Sequence, residues 1–221
     1  MATTKTIAIV GATGKMGSAI AKSLAGANGY RLLLMAGDNE KLAEVKRNIE
    51  AVKPAAEVDV ITCAKDASWE ADIIILATPY GAEGELAEKV REVATGKIVV
   101  SISNPLNSTF DDLVVPAATS AAEELQRLLP DSHVVKAFNT TFAADFERPV
   151  IHGERVDAFI AGNNGDAVEV VSNLVAQAGF NPVIAGDLSV SRTLERMQLL
   201  LIQLNVRNNY NWMAGWKILH E

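Results

Sequence analysis

The amino-acid sequence predicts an α/β protein built on a doubly wound parallel sheet. Short, nearly continuous apolar runs alternate with longer segments of helical spacing over residues 1–140. Strands that helices cover on both faces have this apolar character, and parallel strands need such helical crossovers. Six strands of this kind make a complete Rossmann-type domain, and a small C-terminal α/β extension follows it.

Each element follows from its local pattern. The strands of the first domain, residues 1–140, are predicted at 5–10, 30–36, 57–62, 72–77, 97–102 and 133–138. The helices between them are predicted at 15–27, 38–50, 66–70, 82–94 and 118–129. The extension, residues 141–221, opens with an irregular polar connection. Its later elements are predicted as a strand at 158–161, a helix at 166–178, a strand at 182–185 and a long serine-capped helix that begins at GDLSVSR.

Composition excludes several classes of protein. The 221 residues carry a net charge of -7, with a pI near 5.1, so we predict no nucleic-acid partner. The single cysteine, Cys63, excludes an intramolecular disulfide and a cysteine-built zinc site, and its apolar neighbours predict a buried thiol. No cluster of metal ligands stands out, so no metal is predicted. The apolar runs are too short for a membrane-spanning helix, and the first residues do not have the pattern of a leader peptide. We therefore predict a cytoplasmic protein with no membrane partner.

A glycine turn follows the first predicted strand. The sequence GATGKMG, residues 11–17, has the spacing GxxGxxG, which as a bare pattern is weak. Its position between an apolar strand and a helix strengthens it, because a helix N-terminus offers free N–H groups to a pyrophosphate. Gly11 and Gly14 would form the turn, Thr13 adds a hydroxyl and Lys15 a cation. The competing interpretation is that the glycines serve only tight packing of strand against helix.

The end of the second predicted strand bears on the choice of nucleotide. Asp38 lies about 20 residues beyond the glycine turn, where an acidic side chain accepts a hydrogen bond from a free ribose 2′-hydroxyl and repels a 2′-phosphate. Asp38 could equally be the N-cap of the helix predicted at 38–50. Lys41, one turn along, could still reach a phosphate. The pattern therefore favours NAD and leaves NADP open.

Three later strands end in polar residues at the edge where ligands bind such sheets. The fourth strand ends at Thr78 and Pro79, the fifth at Asn104 and Pro105, and the sixth just before Asn139. Turns are rich in such residues, so each loop alone is unremarkable. Together they predict the lining of a cofactor site.

Three blocks of the sequence resemble one known family. The blocks IVGATGKMGSAIAKSLA, SAAEELQRLLPDSHVVKAFNTTFA and GDLSVSRTLERMQLLLIQL are similar, in order and spacing, to the NADP oxidoreductases that depend on the deazaflavin coenzyme F420. The reductase domain of membrane ferric reductases is related to that family. The resemblance implies NADP or NAD as cofactor, coenzyme F420 or a flavin as co-substrate, and a homodimer.

The resemblance also assigns roles to individual residues. It places the phosphate turn at Gly11, Thr13, Gly14, Lys15 and Met16. It places the adenosine and ribose loop at Thr78 and Pro79, the turn near the nicotinamide at Asn104 and Pro105, and the loop on the substrate side at Ser189, Ser191 and Arg192. Asn139 falls where some members have a histidine near the ring. The chain departs from the family at Gly37 and Asp38, where NADP users have Ser-Arg.

Hydride transfer between two rings depends mainly on how the rings are held. We therefore assign Asn139 a positioning role only, with a small-molecule hydride acceptor as the partner. Two alternatives stay open at this stage. One is a nucleotide-binding redox sensor or partner-binding protein without turnover. The other is a small imine or carbonyl reductase, which would need a proton donor near Asn139.

Some residues of the second half permit more than one interpretation. Lys136, inside an apolar strand, would either face the cofactor or extend its ammonium group from the sheet surface. Arg192 would bind an anionic tail of the substrate or be a surface charge. Tyr210, Trp212 and Trp216 are predicted to pack onto a second subunit, with packing inside the chain as the alternative.

Overall fold

The computed structural model describes residues 4–27 and 29–221. The strands of its sheets are β1 (Lys5–Val10), β2 (Tyr30–Met35), β3 (Glu57–Val60), β4 (Ile73–Leu76), β5 (Ile98–Ser101), β6 (His133–Lys136), β7 (Val150–Ile151), β8 (Glu154–Arg155), β9 (Asp157–Gly162) and β10 (Asn181–Gly186). The helices are α1 (Lys15–Leu24), α2 (Asn39–Val52), α3 (Ala64–Glu70), α4 (Tyr80–Val90), α5 (Ala121–Leu128), α6 (Gly165–Gln177) and α7 (Ser191–Asn208). Two 3₁₀ helices span Ala143–Phe146 and Leu188–Val190.

One eight-stranded sheet runs through the molecule, in the order β10-β9-β6-β5-β4-β1-β2-β3. The strands β1 to β6 are all parallel, and their order is that of a doubly wound Rossmann sheet. This confirms the predicted fold class. β9 then adds to β6 in the antiparallel direction, and β10 lies parallel to β9. The sheet is therefore continuous across residue 140, and the division into two domains there stays a prediction.

The side chains of each central strand alternate between two layers of core. In β1, Ile7 and Ile9 belong to the core layer that contains residues of α1 and α6, whereas Ala8 and Val10 belong to the layer that contains residues of α3 and α4. Alternate residues of a strand point to opposite faces, so a strand buried on both sides must be apolar at every position. That requirement explains why the unbroken apolar runs in the sequence predicted the positions of the strands.

Several element boundaries differ from the prediction. β3 ends at Val60 instead of residue 62, and α3 begins at Ala64 instead of residue 66. The last helix begins at Ser191 after a 3₁₀ turn, with Val190 at its N-cap, so the expected serine cap was wrong. The connection after residue 140 contains a 3₁₀ helix and the β7–β8 hairpin.

The structure also contradicts the prediction for Cys63 and one of the two alternatives for Lys136. Cys63 is exposed, because the chain has left β3 and turned into α3 at this point. The Lys136 side chain is 0% exposed, so its ammonium group does not extend from the sheet surface, and a contact with the cofactor stays a prediction. Its ammonium group lies 2.7 Å from the Glu195 carboxylate and donates to the Ser103 carbonyl. None of the helices in residues 4–27 and 29–221 combines the length and the hydrophobicity that a membrane span requires.

Candidate active site

A cleft lies along the carboxyl ends of β1, β2 and β4, with a volume of about 660 Å³. The predicted turn residues Gly11, Thr13 and Gly14 line it on one side, and Thr78 and Pro79 line it on the other. The structure therefore brings together the residues predicted for the phosphate turn and for the adenosine loop. Their contact with a nucleotide stays a prediction.

Two glycines of the turn are required by its geometry. Gly11 has φ +93°, and a Cβ added there would lie 2.4 Å from the Ala77 carbonyl oxygen. A Cβ on Gly17 would lie 2.2 Å from the Gly11 carbonyl oxygen, so this third glycine lets α1 approach the turn closely. α1 starts at Lys15 with Gly14 as its N-cap, and no side chain among the described residues caps it. Its first N–H groups are therefore available to an anion, which suits a pyrophosphate.

Asp38 is the N-cap of α2, as one of its two interpretations predicted. Its carboxylate accepts from the backbone N–H of Lys41 at 3.1 Å and lies 3.0 Å from the Lys41 ammonium group. These contacts, led by the backbone hydrogen bond, lower the pKa of Asp38. Its neighbour Gly37 lines the nucleotide cleft. The role of Asp38 in reading the ribose stays a prediction.

Replacing Asp38 with arginine is expected to raise the affinity for NADPH relative to NADH by about tenfold, because a charge-assisted contact would replace a repulsion. Titration of each variant with both reduced nucleotides measures the ratio. The control is Asp38→Ser, which keeps a capping hydroxyl and removes only the charge, and it should shift the ratio part of the way. An unchanged ratio in both variants would leave Asp38 as a helix cap alone.

A second cavity, of about 400 Å³, lies at the same edge of the sheet beyond the start of α1. Most of its wall is apolar, and five parts of the chain contribute to it: the start of α1, the loop after β5, the loop after β6, residues 141–144 at the start of the first 3₁₀ helix, and α7 with the chain after it. The lining residues are Lys15, Met16, Ile102, Asn104, Phe138, Asn139, Thr141, Phe142, Ala143, Ala144, Gln198, Ile202 and Trp212. Among these described residues, Lys15 alone is ionisable at physiological pH.

Two carboxamides on the sheet side of this cavity hold each other. Asn104 Nδ2 donates to the backbone carbonyl of Asn139, and Asn139 Nδ2 donates to Asn104 Oδ1, both at 3.0 Å. A backbone carbonyl can only accept, so it fixes the orientation of both side chains. Asn139 Oδ1 is then left buried with no hydrogen-bond partner in the described chain. An acceptor of this kind suits the amide N–H of a nicotinamide.

The backbone before Asn139 is strained. Phe138 is fully buried and has φ +61°, a conformation that a bulky residue rarely adopts. Strain of this kind persists only where the surrounding structure holds it, and it is common at functional sites. Here it turns the chain at the end of β6, so that Asn139 faces Asn104.

The opposite wall is built from the segment after residue 140 and from the C-terminal part of the chain. The Asp145 carboxylate accepts from the backbone N–H of Phe142 at 2.7 Å, which closes the 3₁₀ segment. Burial raises the pKa of Asp145 to about 7, against the effect of that hydrogen bond. Phe142 meets Trp212 edge to face, with ring centroids 5.3 Å apart. Trp212 therefore packs within the chain and is still 51% exposed, and the predicted homodimer stays a prediction.

The remaining predicted site residues lie elsewhere in the described structure. Pro105 is buried beside Asn104, and its carbonyl accepts from Val114. Ser189 bonds to Asp187, and Ser191 is fully buried at the start of α7. Arg192 forms two hydrogen bonds with Glu123 and so lowers the pKa of that carboxyl. These residues are outside the described lining of both the cleft and the apolar cavity, and their roles stay predictions.

The sequence interpretation missed the buried ionic contacts that hold α7 on the sheet. Glu195 accepts from the backbone N–H groups of Ala121 and Ala122 as well as from Lys136. It therefore joins α7 to β6 and to the start of α5. Near this pair Glu83 is also buried, and burial raises the pKa of its carboxyl to about 7 although Lys136 opposes the shift. Lys136 at the end of the apolar run of β6 was the signal that a buried acidic partner lies elsewhere in the chain.

A glycine turn that faces a nucleotide cleft, beside an apolar chamber with oriented carboxamides, is the arrangement of a nicotinamide-dependent oxidoreductase. The family model described as NADP oxidoreductase coenzyme F420-dependent matches residues 6–105. An F420-dependent NADP reductase of Methanocaldococcus jannaschii is 34% identical over 212 residues, which cover 91% of this chain and 92% of that protein. The chain belongs to this family, which confirms the resemblance, and it is an NAD(P)-dependent oxidoreductase.

Two further proteins are similar to this chain. The crystal structure of a putative F420-dependent NADP-reductase from Arthrobacter sp. FB24 superposes with a TM-score of 0.84 over 97% of this chain and 99% of that one, at 24% identity, which shows the shared fold. The human metalloreductase STEAP2 is 31% identical over 144 residues, 65% of this chain and 28% of that protein.

Proposed function

We propose that the protein transfers a hydride between NADP(H) and a deazaflavin of the F420 type, with flavins as substitute acceptors. The observation that carries this proposal is the position of the apolar cavity relative to the glycine turn. Gly14 lines the nucleotide cleft, and the next two residues, Lys15 and Met16, line the apolar cavity. A dinucleotide held by its pyrophosphate at the turn would therefore extend its nicotinamide into the cavity.

The choice of nucleotide and acceptor draws on the relatives as well as on the site. The description of the matching family names NADP and coenzyme F420. Relatives from Methanocaldococcus jannaschii, Methanothermobacter marburgensis and Methanothermobacter thermautotrophicus are named F420-dependent NADP reductases. The apolar lining suits a planar aromatic ring. Lys41, four residues beyond Gly37 of the cleft lining, provides a cation for a 2′-phosphate, although its ammonium group is shared with Asp38.

When bound, the reduced nicotinamide would supply a hydride to the acceptor ring, and a solvent proton would complete the reduction of the acceptor. The residues of the chain contribute binding and orientation. The N–H groups at the start of α1, with Thr13 and Lys15, hold the pyrophosphate. Asn139 Oδ1, held by Asn104, accepts from the nicotinamide amide and so fixes which face of the ring is presented. The apolar wall excludes water from the reacting atoms.

The test is a steady-state assay of the purified protein with NADPH or NADH as hydride donor and F420, FMN or riboflavin as acceptor. Turnover is measured as the loss of the absorbance of the reduced nicotinamide. We expect hydride transfer with a kcat that shows no bell-shaped dependence from about pH 5 to 9, because no carboxyl or histidine of the described chain lines the cavity, and Asp145, whose pKa is about 7, is outside that lining. Tight NADPH binding without turnover of any of these acceptors would contradict the proposal. A bell-shaped profile would instead favour an imine or carbonyl reductase with a proton donor near Asn139.

A further inference from the structure

We infer that Gln198 recognises the hydride acceptor by pairing its carboxamide with a cyclic imide edge, the O=C–NH–C=O unit of a flavin or deazaflavin ring. Gln198 is thereby a specificity-determining residue for the acceptor. The inference rests on the proposed function and adds to it the chemical group that the site reads.

Gln198 is a buried polar residue without a structural explanation. It is 4% exposed and lines the apolar cavity from α7. Its Oε1 atom is buried and, among the described residues, has no hydrogen-bond partner. Buried carboxamide oxygens are nearly always paired, because an unpaired one loses its contact with water and gains nothing in exchange. A ligand with an N–H group would supply the missing partner.

The position of Gln198 assigns it to the acceptor and not to the nicotinamide. Asn104 and Asn139 follow β5 and β6 on the sheet side of the cavity, and their mutual hydrogen bonds leave one oriented acceptor there. Gln198 comes from α7, with Ile202 one turn further along. If the nicotinamide and the acceptor ring stack in this cavity, one ring faces the sheet side and the other faces α7. The ring on the α7 side is the acceptor.

The chemistry of a carboxamide selects an imide. Its oxygen accepts and its NH₂ donates in one plane, so it matches a group that carries an N–H beside a C=O. The pyrimidine-dione ring of flavins and deazaflavins has such an edge, whereas simple ketones, imines and quinones lack the N–H. In apolar surroundings this pair of hydrogen bonds is strengthened, so it distinguishes acceptors with an imide edge from acceptors without one.

The anchoring of α7 makes this recognition rigid. Glu195 lies three residues before Gln198 and is held by Lys136 at 2.7 Å and by the first N–H groups of α5. Gln198 therefore projects from a helix fixed to the sheet by a fully buried ion pair. A recognition group on such an element keeps its geometry better than one on a loop.

The experiment compares lumiflavin with N3-methyl-lumiflavin, which lacks the imide N–H, in steady-state assays with NADPH. For the wild-type protein the methyl compound is expected to have a KM about tenfold higher, the size of one lost hydrogen bond. In Gln198→Leu the two compounds should have the same KM, at the higher value, while the KM for NADPH is unchanged. Gln203→Leu makes the same chemical change on an exposed residue of α7 and should behave as wild type.

Any of the following results would overturn the inference. Equal KM values in the wild type, or a tenfold ratio that persists in Gln198→Leu, would mean that the imide edge is not read by this residue. A raised KM for NADPH in Gln198→Leu would place Gln198 at the nicotinamide. No turnover of lumiflavin by the wild type would contradict the use of flavins as substitute acceptors, and the inference with it, whereas the proposed function fails only if F420, FMN and riboflavin are not turned over either. Thermal unfolding of Gln198→Leu and of Gln198→Met shows that the folded state is retained.

Discussion

Replacing Glu195 with alanine is expected to lower the free energy of unfolding by about 3–5 kcal/mol, because it leaves the Lys136 ammonium group buried without its counter-charge. Both side chains are 0% exposed, so no solvent can take the place of the carboxylate. The first N–H groups of α5 also lose their acceptor. A loss of this size corresponds to a fall in Tm of roughly 10 °C for a chain of this length, measurable by calorimetry or denaturant titration.

Two comparisons separate the buried pair from a general effect of losing charge. The double variant Lys136→Met with Glu195→Leu should recover much of the lost stability, because apolar residues often replace a buried ion pair without loss. Glu85→Ala breaks the exposed pair between Glu85 and Lys89 and should leave Tm unchanged. If Glu195→Ala resembled Glu85→Ala, the buried pair would not be what holds α7 on the sheet.

Replacing Gly11 with alanine is expected to weaken NADPH binding about 100-fold, the loss of one or two hydrogen bonds to a charged group. The new Cβ would overlap the Ala77 carbonyl at 2.4 Å, and alanine disfavours φ +93°. The turn must move to relieve both conflicts, which displaces the N–H groups at the start of α1 from the pyrophosphate. Nucleotide titration by calorimetry measures the change.

The matched control for Gly11 is Gly84→Ala. Gly84 lies on the exposed side of α4, and a Cβ there meets no atom within 4 Å. The same chemical change should leave nucleotide affinity unaltered and raise stability by about 0.5–1 kcal/mol, because alanine is the better helix former. Wild-type NADPH affinity in Gly11→Ala would contradict the assignment of the turn to the pyrophosphate.

Part of the candidate site could be predicted because its residues are close in sequence to the element that positions them. Gly11 and Gly14 directly follow β1, and Asn104 comes three residues after β5. In a parallel sheet all carboxyl ends meet at one edge, so the local pattern and the fold class together were enough to bring these residues together. Asn139 was found by the same reasoning.

Other parts of the site depend on contacts between segments far apart in the chain. Gln198 reads as one polar position in an amphipathic helix, and only the packing of α7 turns it toward the apolar cavity. Lys136 and Glu195 are 59 residues apart, and the sequence around either residue does not predict the other as its partner. Arg192 forms hydrogen bonds with Glu123 of α5, 69 residues away, and this partner is not visible in the pattern around either residue.

The sequence by itself determined the doubly wound sheet, the glycine turn and the family, because strand periodicity and turn chemistry are local properties that the chain displays in order. The tertiary structure alone decided how the residues after 140 complete the site. β9 joins β6 in the antiparallel direction, and α7 is fixed by an ion pair inside the core. The physical reason is that a buried charge or carboxamide is acceptable only beside its partner, and the fold as a whole determines where that partner lies.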